Sequence, residues 1–118
     1  MPDKKLPALS SSEVTRVIKI NEIDFDGPYS TPSSLLHKPG IYVILDATIS
    51  KSVVVDVGES GDSVRTRVEN HDRRECWKSS SRGTLQVAVL YTPGMSDAQR
   101  RGVESAIRAL YRPPCGVH

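Results

Sequence analysis

The 118-residue chain has only two cysteines, two methionines, one tryptophan and one phenylalanine, and its aromatic content is 5%. Two cysteines, Cys76 and Cys115, cannot build a disulfide framework. They do not form a CxxC pair, which argues against a structural zinc site. Reduced thiols and a cytoplasmic location are the resulting expectation. So few aromatics argue against a surface that stacks many bases of a single strand. Apolar runs such as Val53–Val54–Val55 are far too short to span a bilayer, so no membrane association is expected. The N-terminal stretch MPDKKLPALSSSE has no apolar segment of the kind a secretory signal needs.

An excess of charge of one sign is also missing, since the formal net charge is +2. Its distribution is uneven: residues 1–62 sum to −3 and residues 63–118 to +5. A basic C-terminal half suits a polyanionic partner, or it is simply two solvated helix faces. The length fits one domain that folds without staples.

Hydrophobic periodicity orders the chain. Residues 1–12, with Pro2, Pro7 and a serine run, read as a flexible tail, followed by an N-terminal extension over 13–37. Within that extension VTRVIKI (14–20) alternates as a strand does, and DFDGPYSTPSS (24–34) has the composition of a loop. GIYVILDA (40–47) and KSVVVDVG (51–58) predict an antiparallel hairpin. A helix is expected over about 62–77, capped by Asp62 or Ser63, then a strand at 84–92. Ser96–Asp97–Ala98–Gln99 has the capping-box pattern and opens a second helix. Its apolar stripe is Val103, Ala106, Ile107 and Leu110, and Pro113–Pro114 stops it. The order predicts a small mixed α/β (α+β) domain with an antiparallel sheet, the main domain occupying 38–118.

GIYVI at 40–44 followed by VDVG at 55–58 resembles the two motifs that name the GIY-YIG nuclease superfamily. GESGDSVRTRVENH (58–71) is similar to that family's glycine turn leading into a helix with an arginine and, four residues on, a histidine. Arg67 and His71 stand at that spacing and would share one helix face. VESAIRALYRPP (103–114) is similar to the family's later helix, with Glu104 and Pro113 at its glutamate and proline. The resemblance runs over residues 38–116. It implies a three-stranded antiparallel sheet flanked by helices, here with an extra N-terminal strand. It also implies hydrolysis of DNA phosphodiester bonds with one divalent ion, Mg²⁺ or Mn²⁺, held by Glu104.

Such chemistry needs a fixed cation at the phosphate, a metal at the leaving oxygen and a group that handles water. Arg67 supplies the cation, Glu104 the hard oxygen ligand, and Tyr42 or His71 a group to position or deprotonate water. Each has a structural reading beside this one. Tyr42 is a half-buried strand aromatic, Arg67 and His71 are solvated helix residues, and Glu104 pairs with Arg100 or Arg108.

Three positions depart from the family's pattern. Asp56 stands where the second motif has its tyrosine: a replacement base or metal ligand, or a charge that repels phosphate and marks lost activity. Glu59 adds a further negative charge after the motif glycine, Gly58, and Gly116 stands where an asparagine is expected. Asp56, Glu59 and Glu104 together offer a richer metal site. Arg65, Arg73, Arg74, Lys78 and Arg82 in one region, and Arg100, Arg101, Arg108 and Arg112 in another, are candidate phosphate contacts. Trp77 is a lone stacking candidate, or packs the end of the first helix. Specificity would come from a protein partner or from DNA structure, with the chain a monomer or weak dimer. The rival reading is a catalytically inactive module of the same fold that binds nucleic acid or a protein.

Overall fold

The computed structural model describes residues 16–116, so the expected tail at 1–12 and the start of the first expected strand lie outside the described residues. One antiparallel sheet forms the frame. Its strands are β1 (Val17–Ile20), β2 (Ile23–Tyr29), β3 (Gly40–Ala47), β4 (Ser52–Ser60) and β5 (Thr84–Tyr91), in the spatial order β1-β2-β5-β3-β4. Helices α1 (Val64–Glu69) and α2 (Arg74–Ser79) follow β4, and α3 (Asp97–Tyr111) follows β5. A single 3₁₀ turn at Pro32–Ser34 lies between β2 and β3.

The sheet therefore has five strands, not the three implied by the resemblance, nor three plus one. The segment 24–34, expected as a loop, contributes most of β2. Gly27 and Pro28 are accommodated because the β2–β5 register shifts between Asp26 and Tyr29. At such an irregularity a residue without an N–H and one with positive φ fit inside a sheet. The strand expected at 14–20 joins this same sheet by pairing with β2.

The central strands bury both faces. Tyr42, Ile44, Val55, Val87 and Val89 pack toward α1 and α2, while Ile41, Val43, Leu45, Val57 and Ala88 pack toward Phe25 and Ile107 of α3. A β-bulge interrupts the β3–β4 ladder: Ile44 opposes Asp56 and Leu45 opposes Val54, leaving Val55 extra. The bulge sends two consecutive residues, Val55 and Asp56, to one face, and so carries a carboxylate inside an otherwise apolar strand.

The helix expected over 62–77 is two helices. Ser63 caps α1 through its hydroxyl, which accepts from the Thr66 N–H. Asn70 ends α1, and His71 then turns into the core, 5% exposed. Its Nδ1 accepts the Arg73 N–H at 3.0 Å, a donor that a continuous helix would give to the Glu69 carbonyl; Arg74 Nη1 takes that carbonyl instead. Arg67 and His71 thus do not share a helix face.

In α3 the capping box forms as expected, with Gln99 N donating to Ser96 Oγ and Ser96 N to Gln99 Oε1. Its expected stripe is only half right. Ile107 is buried and Val103 partly so, but Ala106 and Leu110 face solvent. Arg100, Glu104 and Arg108, three residues at helical spacing, turn toward β4 instead.

Cys76 of α2 and Cys115 are joined as a disulfide, with Cα atoms 5.9 Å apart. The expectation of reduced thiols is overturned: the turn after α3 returns the chain to β4, where Cys115 N donates to Val55 O at 3.1 Å. Among the described residues no helix is long and apolar enough to cross a membrane.

Candidate functional site

β3 and β4 place Tyr42 beside Gly58 in the ladder. A Cβ on residue 58 would lie 2.1 Å from the Tyr42 hydroxyl oxygen, so this glycine is required by contact. Tyr42 is fully buried, and its Oη lies 2.5 Å from His71 Nε2. The rings meet edge to face, 5.6 Å between centroids, and His71 packs on Trp77 at 4.7 Å.

The donors around His71 fix its tautomer. Nδ1 accepts from the Arg73 N–H, so the ring proton sits on Nε2 and is donated to Tyr42 Oη. The exposed Asp72 carboxylate, 3.2 Å from Nδ1, faces a lone pair and makes no hydrogen bond there. Burial, reinforced by the charges of Arg73 and Arg67, lowers the His71 pKa to about 4, and the ring is neutral at pH 7. Burial pushes Tyr42 up to about 12, against the pull of Arg67 and Arg73. The exposed Arg67 thus acts on both rings.

A pH dependence follows. The unfolded ring titrates near its usual 6.5 and the folded one near 4. Between those values the unfolded chain binds more protons, so stability falls as pH drops from 6.5 through 4. Denaturant unfolding is expected to show a loss of about 2 kcal/mol from His71 between pH 7 and pH 5. A His71→Gln variant is expected to flatten that part of the curve.

Asp56, expected as a replacement base, a metal ligand or a charge that marks lost activity, is held inside the fold as a counter-ion. Its side chain is fully buried. Trp77 Nε1 and Arg73 Nε donate to Oδ2 at 2.7 and 2.8 Å, while Arg108 Nη2 donates to Oδ1 at 2.8 Å and the Val57 N–H to the same oxygen, also at 2.8 Å. Burial alone would raise its pKa; the bonds from Arg73, Trp77 and Arg108 outweigh it and hold the carboxyl below its usual range. Both carboxylate oxygens are committed, and the side chain has no exposed surface.

The basic side chains divide accordingly. Arg73 is bound to Asp56, and Arg100 is buried against Glu59 at 2.9 Å, the Met95 carbonyl and Asp97. Both are corrected from phosphate contacts to internal counter-ions. Arg65 pairs with Glu69 at 3.2 Å. Arg74, Lys78 and Arg101 are exposed, as are Arg82 and Arg112. Arg108, expected as a partner of Glu104 or a phosphate contact, is bound to Asp56 and also holds the Val57 and Cys115 carbonyls.

Glu104 is the carboxylate of this cluster that no arginine claims closely, with Arg108 Nη2 at 3.9 Å. Burial raises its pKa, and the negative charges of Glu59 and Asp56 add to the rise. Among the described residues no three His, Cys, Asp or Glu side chains gather as a metal group, and Asp56 and Glu59 are each paired with arginine, which leaves Glu104 as the carboxylate of the expected three with no close cation. A single half-buried carboxylate without a close arginine could hold Mg²⁺, which keeps several of its waters and needs few protein ligands, though its raised pKa sets a proton in competition with the ion.

Tyr42 and His71 thus meet in the core with the charges of Arg67 and Asp56 acting on both, while Glu104 stands apart from the two rings, in the field of Arg108, Glu59, Arg73 and Asp56. The clamp on Asp56 was not read from the sequence. Its signal was an aspartate in the apolar run VVVDVG, which a buried strand tolerates only with cations beside it. Comparison with protein-family models, curated proteins and solved structures gives no match.

Proposed function

We propose that the chain is a GIY-YIG-type endonuclease, a divalent-metal-dependent hydrolase of DNA phosphodiester bonds. The observation that carries this reading is the Tyr42 Oη–His71 Nε2 contact at 2.5 Å, with the Arg67 charge acting on both groups. His71 donates to Tyr42, so the phenol's own proton is left to donate toward a phosphate oxygen or an attacking water once bound DNA opens the cover over this buried ring. Arg67 neutralises the phosphate and its developing charge. Neither Tyr42 nor His71 is a base here: one holds its proton to about pH 12, and the other has both ring nitrogens committed. Their work is orientation, a narrower role than deprotonating water. Glu104 would hold the metal, which when bound supplies positive charge at the leaving oxygen and an acidified water. Asp56 has no part in the reaction and keeps Arg73 and Arg108 in place.

In supercoiled plasmid with Mg²⁺ or Mn²⁺, nicking is expected and EDTA is expected to abolish it. Arg67→Ala and Glu104→Gln are each expected to lower it about 10²–10³-fold with little change in stability. Cutting that survives both substitutions would place the activity elsewhere.

One observation favours the second reading, an inactive binding module. Tyr42 is fully covered and the position of the family's other tyrosine is a sealed ion cluster. Salt-sensitive DNA binding with no metal-dependent nicking is its signature.

A further inference from the structure

Between α2 and the sheet, on the α1–α2 face, lies a cavity of about 160 Å³ that none of this chemistry uses. Its apolar lining comes from Ile44, Val68, Trp77, Leu85 and Val87. Trp77 joins it to the site above, since the same indole packs on His71 and donates to Asp56. Arg74 and Lys78 also line it, both exposed, and no carboxylate does. Among the described residues no acidic side chain pairs with Arg74, and Lys78 has only exposed Glu75 at 3.8 Å. Tyr29, Ser30 and Gln86 add three uncharged polar side chains to the lining. None of the three has a side-chain hydrogen-bond partner among the described residues.

The volume excludes most ligands. Pockets for drug-sized molecules run to about 300–1,000 Å³, so this one holds a single planar ring system. Apolar walls fit its faces, and the Gln86 amide with its donor and acceptor fits a base edge. The paired cations fit an adjoining phosphate. We propose that the cavity receives one unpaired nucleobase of a bound strand, with Arg74 and Lys78 on its phosphate. This rests on the nucleic-acid reading above and gives it a substrate class: duplexes with an extruded or unpaired nucleotide. One such pocket is compatible with an aromatic content too low for stacking along a strand.

Trp77 is the chain's single tryptophan, so its fluorescence reports the cavity directly. The full chain in EDTA would be titrated with a matched duplex, the same duplex with one bulged thymidine, the same with an abasic bulge, and thymidine monophosphate. The thymidine bulge is expected to bind about 10-fold tighter than the matched and abasic duplexes and to alter Trp77 emission. Leu85→Phe, which fills the cavity, is expected to erase that preference while matched-duplex binding persists. Lys78→Ala, at an exposed position, is expected to weaken binding of the thymidine and abasic bulges alike without touching the core, leaving the preference for the base in place. Equal affinity for all three duplexes would overturn the inference and leave the nuclease reading standing. Monophosphate binding as tight as the bulged duplex would overturn the strand as occupant. No binding of any duplex would sink both.

Discussion

Asp56→Ala is expected to destabilise the fold by about 3–5 kcal/mol, the range for leaving a buried ion pair with one partner. The carboxylate lies at the centre of four donors, and two of them, Arg73 and Arg108, carry full charge into a site where Asp56 is the close counter-ion. Removing it leaves two guanidinium groups facing each other across a cavity and strands the Trp77 N–H. For a domain of this size the loss corresponds to a fall in Tm of roughly 15–30 °C, a large part of the stability such domains have. A catalytic or metal-ligating Asp56 would behave oppositely, losing activity with Tm nearly unchanged. Combining Asp56→Leu with Arg73→Met and Arg108→Met is expected to recover much of the loss, because no uncompensated charge then remains.

Breaking the Cys76–Cys115 bridge is expected to have an effect of similar size. The two residues are 39 apart in sequence. Closing a loop of that length removes unfolded-state entropy worth about 4 kcal/mol. Cys76→Ser, or full reduction verified by thiol count, is expected to lower unfolding stability by that amount. The backbone contacts of the segment are separate from the bond: Cys115 N still reaches Val55 O, and Cys115 O still accepts from Arg108. Cys115→Ser should therefore match Cys76→Ser. A much larger effect of Cys115→Ser would mean that the segment's seating, not the covalent link, carries the stability.

Local signals were legible and non-local ones were not. The hairpin of β3 and β4, strand β5 and the Ser96 capping box follow from alternation and short-range hydrogen bonding, and they stand where the sequence put them. β2 was hidden because Gly27 and Pro28 speak for a loop, and only pairing with β1 and β5 overrides them. The break at His71 was hidden because the spacing from Arg67 is perfectly helical, while the ring's burial beside Tyr42 and Trp77 is a tertiary fact. At the site, Tyr42 and His71 meet and Arg67 acts on both. The reading of Asp56 failed because an aspartate's role depends on who faces it, and its partners come from α2 and α3, far along the chain. The cysteine pairing failed for the same reason, since composition says nothing about Cα separation.

The most direct measurement is plasmid nicking by Tyr42→Phe beside the parent chain in Mg²⁺. Phenylalanine keeps the ring in its slot and removes only the hydroxyl that His71 orients, at a stability loss of about 1–3 kcal/mol for the unpaired Nε2–H. The account predicts metal-dependent nicking by the parent and a loss of about 100-fold or more in the variant while it stays folded. Equal nicking by both proteins, or none by the parent, would contradict it.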